Sequence, residues 1–430
     1  MEKSNKSANA KEITLGILDE VFGSALNGRI RVELWDGTLW PEAGDADVRL
    51  ILKHPGALRA MLLPGTEVGM GEAYLYDDID FVGKVEAIFP LADALNDGAK
   101  RLTQKLNLAA RLRQLPQSPN RPTLERGPAH LHGSRHSVSR DQKAVTYHYD
   151  VSNDFYKLFL DSNMVYSCAY FHDTSDSLDK AQEQKLDLIC RKLGLKPGQR
   201  LLDLGCGWGG LVIWAARHYG VEATGITLSK PQADYANQKI AELGLSQHCR
   251  VQVIDYRMVP EDQPFDALVS VGMFEHVGDA KLEEYFSKAN RLLKPRGVFL
   301  NHGISSTRLN QVNDPESFSG AYVFPDGELV QISTTIRKAE MTGFETRHVE
   351  SLREHYILTL RKWVENLEKN HEQALKFVDE ATYRVWRLYM SGSIHGFKVR
   401  QQNLYQTLLV KPDGEGQSGQ PLTREAWYRD

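Results

Sequence analysis

Apolar and polar positions divide the chain into stretches of different periodicity. Ile13 to Phe22 carries apolar residues at helical spacing. Arg29 to Trp40 alternates around Asp36-Gly37, which predicts a β-hairpin. Gly56 to Leu63 predicts a second helix, and Gly65, Gly69 and Gly71 predict turns after it. Residues 13–95 therefore predict a small α+β module. From 185 to about 345 the pattern changes to strand, helix, strand, helix. Arg200 to Gly205, Glu222 to Thr227, Arg250 to Ile254, Ala267 to Val271 and Gly297 to His302 predict strands. Leu211 to His218, Pro231 to Leu243 and Lys281 to Leu293 predict helices, the second with proline in its first turn. Such alternation predicts a mainly parallel sheet with helices on both faces. Residues 350–405 predict long helices covering the sheet's functional edge, and the polar, glycine-rich segment Lys411 to Asp430 predicts a frayed end.

Composition narrows the class without naming a function. Hydrophobic residues make up 41% and charged residues 25% of 430, an ordinary globular balance. A net charge of −4 gives no reason to expect nucleic acid as a partner. No run of apolar residues is long enough for a membrane span, and the N-terminus lacks the apolar core of a secretory signal. Cys168, Cys190, Cys206 and Cys249 form no CxxC pair, so neither a metal site nor a disulfide framework is expected, and a cytoplasmic location is.

One stretch departs from this balance. Residues 100–143 hold ten Lys/Arg (Lys100, Arg101, Lys105, Arg111, Arg113, Arg121, Arg126, Arg135, Arg140 and Lys143) against Glu125 and Asp141. Leu102 to Leu115 predicts a basic amphipathic helix, and Pro116 to Ser139 a linker. The stretch reads either as a solvated hinge or as a surface for anionic lipid headgroups, each basic side chain there contributing about 1 kcal/mol.

The candidate chemistry starts at Asp203-Leu-Gly205-Cys-Gly207-Trp-Gly209-Gly210, where a first strand meets a first helix. Glycines let the backbone approach a ligand. Gly205, Gly207 and Gly210 match G-x-G-x-x-G literally, which raises a nicotinamide-dependent dehydrogenase. Two details oppose that reading. Asp203 precedes the first glycine, as in class I S-adenosylmethionine (SAM) methyltransferases, and the second strand's end, Gly225-Ile-Thr-Leu-Ser229, offers no acid for a ribose hydroxyl.

Read together, His148-Tyr-Asp150, Tyr166-Ser-Cys-Ala-Tyr-Phe171, Leu202 to Gly209, Gly225 to Ser229, Val271-Gly-Met-Phe-Glu-His-Val-Gly278 and Asn301-His-Gly-Ile304 resemble the cyclopropane fatty acid synthase and mycolic acid cyclopropane synthase family over about 140–405. The resemblance implies a seven-stranded class I SAM methyltransferase fold. Residues 1–110 resemble the additional N-terminal lipid-binding or dimerisation domain of phospholipid-acting members, with 111–140 as linker, 141–410 as catalytic domain and 411–430 as tail. It implies SAM held by Tyr166 and Ser167 at the methionine end, with Asp203, Gly205 and Gly207 beside them. Thr227, Leu228 and Gln232 would meet the ribose and adenosine, and Asp255, Tyr256 and Arg257 the adenine. The two departures, Gly303 after His302 and Gly210 after Gly209, touch no residue that the family needs.

The substrate implied is the cis double bond of an unsaturated acyl chain in a membrane phospholipid. An isolated alkene cannot be activated by deprotonation, so the sulfonium methyl must be held against it in a dry site. Methyl transfer leaves a carbocation, for which Tyr170, Phe171, Phe274 and Tyr356 are candidate aromatic neighbours. The family's proton acceptor is a bicarbonate ion, and Cys168, Glu275, His302, Ile304 and Tyr356 match its ligands. Glu275 can accept the ion's O–H, while His302 and Tyr356 can donate to its oxygens. His276, Tyr149 and Cys206 are expected nearby without a chemical role. The expectation is a homodimeric cyclopropane-fatty-acyl-phospholipid synthase on the inner membrane surface. A transferase leaving a methylene branch is the alternative, and a non-catalytic lipid-binding relative is a rival that would be expected to lack Glu275 or His302.

Overall fold

The computed structural model describes residues 2–23, 29–97, 102–119, 124, 127–129, 131, 133, 135–149, 151–307, 311–312 and 316–428. Lys100, Arg101, Arg121, Glu125, Arg126, Asp150, Asp430 and the side chains of His148 and Tyr149 lie outside the described residues.

The chain divides into two units. The first holds residues 1–129 together with 314–323 and 378–395. Its sheet has the order β2-β1-β3-β4, built from β1 (Ile30–Glu33), β2 (Leu39–Trp40), β3 (Val48–Leu52) and β4 (Ile79–Gly83). The expected hairpin is β1–β2, with Val32 opposite Trp40. Helices form at Glu2–Phe22, Ala57–Leu62 and Leu102–Gln114.

Two expectations for this unit need correction. Gly69 and Gly71 do not mark turns but lie within a helix, Glu67–Leu75. Thr66 caps it by accepting from Gly69 N, and Gly71 leaves room for the Phe318 ring, whose nearest atom would lie 2.3 Å from an added Cβ. Packing thus overrides glycine's low helix propensity. The expected boundary near 110 also moves, because later segments return to this unit. Phe318 N donates to Glu67 Oε1, and Tyr322 donates to Glu72. Arg384 and Arg387 are buried and donate to Tyr74 O and to the Tyr74 hydroxyl.

The second unit holds 130–313, 324–377 and 396–430. Its strands are β5 (Arg200–Leu204), β6 (Glu222–Thr227), β7 (Cys249–Val253), β8 (Phe265–Val271) and β9 (Leu293–Ser306), a short ribbon of β10 (Gln311–Val312) with β11 (Glu328–Leu329), then β12 (Glu345–Ser351) and β13 (Gln402–Val410). The large sheet has seven strands in the order β12-β13-β9-β8-β5-β6-β7. Neighbours from β9 to β7 are parallel, and β13 runs antiparallel to both β9 and β12. Residues 345–351 and 402–410, within or beside the expected helical cover, are thus strands, and the helices there are Arg353–Lys369 and Glu380–Lys398.

The tail is also corrected. Lys411 donates to Asn290 O and Leu293 O at 2.8 Å each, and Arg424 donates to Arg347 O at 2.7 Å. Trp427 is buried in the same core cluster as Leu188, Ala215 and Val410. One large aromatic with that much area to bury anchors a segment whose polar composition alone predicts fraying.

Candidate functional site

The glycine turn after β5 is tied back to β6, since Gly205 N and Cys206 N both donate to Ile226 O (3.0 and 2.9 Å). This leaves Gly205 at φ +90° and Gly207 at φ +54°. Nothing lies within 4 Å of where a Gly207 Cβ would sit. That space belongs to a cavity lined by Tyr166, Ser167, Asp203, Gly205, Gly207, Thr227, Leu228, Gln232, Asp255, Tyr256 and Arg257. All eleven residues expected at the cofactor therefore share one cavity.

The polar groups of this wall are arranged by their neighbours. Thr227 donates its hydroxyl to Gln232 Oε1 at 2.8 Å, which leaves the buried Gln232 Nε2 without a partner. Asp203 is buried at the end of β5 and its Oδ1 has no partner either. Burial pushes its carboxyl up to about 7, with Lys185 acting in the opposite sense. Asp255 is less available than expected: it accepts from Arg257 N and Nε and pairs with Nη2, which also reaches Asp141.

A buried donor and a buried acceptor left unpaired on two residues lining one cavity suit a zwitterionic ligand with a ribose. Asp203 could accept from an ammonium, Gln232 could donate to a ribose oxygen, and the open space at Gly207 admits the ligand backbone-close. The chain's own residues thus fit SAM.

Several wall residues escape the sequence reading. Lys185 lines the cavity, donates to Ser167 Oγ at 2.9 Å and is buried. Burial pushes its ammonium down to about 8, against the pull of Asp161, Cys168 and Asp203. Asp141, Trp208, Met273 and Lys281 also line the wall. A signal for Lys185 existed. Gln182, Lys185, Ile189 and Lys192 recur at three- and four-residue spacing on the helix Leu178–Leu193, and all four are buried. Polar side chains on the apolar stripe of an amphipathic helix indicate internal partners.

The five residues expected around a bound anion lie outside the cavity wall and form two sets, Glu275 with His302 and Ile304, and Cys168 with Tyr356. Glu275 sits on the single turn Phe274–His276 after β8, and its Oε1 accepts from Ile304 N on β9 at 2.7 Å. His302 lies two residues earlier on that strand, on the same face as Ile304. Glu275 Oε2 and His302 Nε2 are both buried without partners. Cys168 and Tyr356 are linked through Leu352: the thiol lies 3.8 Å from Leu352 O, and Tyr356 N donates to the same oxygen. The Tyr356 ring packs against Phe397 and Trp363, and Trp363 stacks on Tyr166 at 5.0 Å. Burial pushes Glu275 up to about 7, raises the Cys168 thiol, and, with Lys185 and Lys192 adding, holds His302 well below the usual histidine range.

Other expectations separate here. His276 and Cys206 do line the cavity, His276 held to about 4 by burial and then by His136. Of the aromatic candidates, Tyr170 stacks on His355 and faces a different groove beside Trp214 and Trp427, so it is not placed for the cation role. Phe171 lies near His355 as well. The Gly303 departure is not neutral. Its α-carbon faces the Phe274 ring, which carries the turn that holds Glu275.

Known proteins give the arrangement a relationship. The mycolic acid cyclopropane synthetase family matches residues 136–407. The chain is similar to a probable fatty acid methyltransferase of Pseudomonas putida, 39% identical over 93% of this chain and 96% of the relative. It is similar to cyclopropane mycolic acid synthase 1 of Mycobacterium tuberculosis, 38% identical over 59% of this chain and 92% of the relative. Among solved structures it resembles mycolic acid cyclopropane synthase CmaA1 in complex with SAH and CTAB, with a TM-score of 0.59 and 35% identity over 62% of this chain and 97% of that one.

Proposed function

Because the chain belongs to the mycolic acid cyclopropane synthetase family and is a SAM-dependent C1 transferase acting on lipid, we propose that it converts cis double bonds of acyl chains in membrane phospholipids to cyclopropanes. The observation that carries this reading is the pair of partnerless buried atoms, Glu275 Oε2 and His302 Nε2, in a cluster fixed by the bond from Ile304 N. An acceptor and an imidazole nitrogen there fit a bicarbonate ion, which when bound supplies the proton acceptor that ring closure needs.

The rest follows from the chain's own groups. The cavity residues hold the sulfonium so that its methyl carbon forms a bond to one alkene carbon while the C–S bond breaks and S-adenosylhomocysteine departs. The positive charge then rests on the other alkene carbon. Loss of a proton from the added methyl lets its electron pair close the ring. Phe274, and the Tyr356–Trp363–Tyr166 series, keep water from the cation. The substrate reading is supported by relatives named as fatty acid methyltransferases that align with nearly the whole chain, including the first unit.

The same two relatives favour a second reading, in which a different proton leaves and a methylene branch remains. Cells lacking such an enzyme, expressing this chain and fed methyl-labelled methionine, are expected to contain labelled fatty acids one CH₂ heavier than their unsaturated parents. Upfield cyclopropane protons by NMR support the first reading, vinylidene protons the second, and unlabelled lipid neither.

The proposed location is the inner membrane surface. No described helix is long and apolar enough to cross a membrane. On the basic helix Leu102–Gln114, Lys105 and Arg113 are exposed, whereas Arg111 is paired with Glu20. Lys105→Gln with Arg113→Gln is expected to weaken binding to anionic vesicles about tenfold at low salt, each charge contributing about 1 kcal/mol at most. Arg111→Gln alone should change little. Sedimentation with phosphatidylglycerol vesicles measures both, and unchanged binding by the double variant removes the membrane role of this helix.

A further inference from the structure

His302 is the end of a polar row that crosses the large sheet. Glu350 on β12 lies opposite Gln406 on β13, and Gln406 lies opposite His302 on β9. The side chains are joined as well. Lys192, fully buried on the helix Leu178–Leu193, donates to Gln406 Oε1 at 2.6 Å and pairs with Glu350. Gln406, itself buried, places Nε2 3.1 Å from His302 Nδ1.

The donors and acceptors of this row leave one consistent arrangement. An ammonium only donates, so the amide oxygen of Gln406 must face Lys192. The amide nitrogen then faces His302 and can only donate. His302 Nδ1 must therefore accept, and the neutral ring carries its proton on Nε2. That nitrogen is the buried atom left without a partner. We infer that Lys192 and Gln406 are positioning residues that hold His302 as its Nε2–H tautomer and so make it a hydrogen-bond donor toward the anion beside Glu275. The inference rests on the reading of that cluster as an anion site, but the tautomer itself does not depend on any ligand.

Gln406→Glu separates the two. The carboxylate has nearly the same shape and keeps its partner Lys192, yet it can only accept from the imidazole. His302 Nδ1 should then become protonated. With histidine labelled by ¹⁵N, long-range ¹H–¹⁵N spectra report each ring nitrogen directly, and the His302 signals are identified by their loss in His302→Gln. The native protein is expected to show a bare Nδ1 and a protonated Nε2. Gln406→Glu is expected to show a protonated Nδ1 and to lower kcat on the order of 100-fold with KM for SAM nearly unchanged. Should Gln406→Glu not fold, Gln406→Met keeps the chain length, removes both hydrogen bonds and should give a mixture of tautomers. A protonated Nδ1 in the native protein, or a bare one in Gln406→Glu, overturns the inference. So does an inverted tautomer with normal turnover. Failure of the anion-site reading is seen separately, as normal turnover in Glu275→Gln while the native tautomer is as stated.

Discussion

Glu275→Gln is expected to lower turnover at least ~10²-fold and, in the same protein, to raise the melting temperature above neutral pH. The glutamine retains an oxygen to accept from Ile304 N, so the local geometry survives. Its other end becomes an NH₂ group, which cannot accept the O–H of a bicarbonate ion. The stability change follows from linkage. Burial raises the Glu275 carboxyl from 4.5 to about 7. The folded protein thus holds a proton that the unfolded chain has released, and its stability is fully present below about 4.5 and lost as pH rises through about 7. By pH 8 this penalty is on the order of 3 kcal/mol, because each tenfold change in proton affinity corresponds to roughly 1.4 kcal/mol. The neutral amide does not incur it. Melting curves without SAM should coincide at pH 4 and separate by several degrees at pH 8. Curves separated equally at both pH values, with near-normal turnover, would sink both the burial argument and the assignment of Glu275.

Gly303→Ala is expected to be the most damaging single methyl in the catalytic unit. An added Cβ would lie 1.9 Å from Phe274 Cε1 and 2.2 Å from Cδ1. Phe274 is itself buried within a core cluster, so its ring has no open space to enter. The ring must move and carry the turn Phe274–His276 with it, displacing Glu275 from Ile304. Overpacking of this kind costs about 1–3 kcal/mol, and a shift of about 1 Å at a reacting centre costs ~10²-fold in rate. Phe274→Leu in the same chain should recover part of the stability. Gly414→Ala, at a position with nothing within 4 Å, should change neither property. Denaturant midpoints and turnover of the four proteins decide the matter, and a Gly303→Ala protein equal to the native one disposes of the steric account.

The sequence reveals the cofactor half of this protein well because its signals are local. Asp203 lies at the end of one strand with the glycines after it, Thr227 ends the next with Leu228 and Gln232 after it, and each motif needs only its own turn to reach the cavity. The parallel order of β5 to β8 follows from the alternation of strands and helices. What fails is long-range. Residues 350–405 are read as a helical cover because they carry long helical patterns with many aromatics, whereas Glu345–Ser351 and Gln402–Val410, within or beside that stretch, are strands. Two of their polar residues, Glu350 and Gln406, answer Lys192 and His302. Gly71 and Trp427 mislead in the same way: one is a glycine retained for the Phe318 ring, the other an aromatic hidden in a polar tail. Gln182, Lys185 and Lys192 on an apolar stripe are the clue that was in view.

The row from Glu350 through Gln406 to His302 has a consequence for how such a catalyst can diversify. Among the described residues, the whole cavity wall lies between positions 141 and 281, whereas the strands that set the imidazole lie at 345–351 and 402–410. Donor recognition is thus written in one portion of the gene, while the residues argued to steer the proton are drawn from both, Lys192 and Glu275 from the first and Glu350 and Gln406 from the second. A single crossover between them exchanges the second portion whole and leaves the first untouched. Lineages can inherit one way of holding SAM and still diverge in which proton departs.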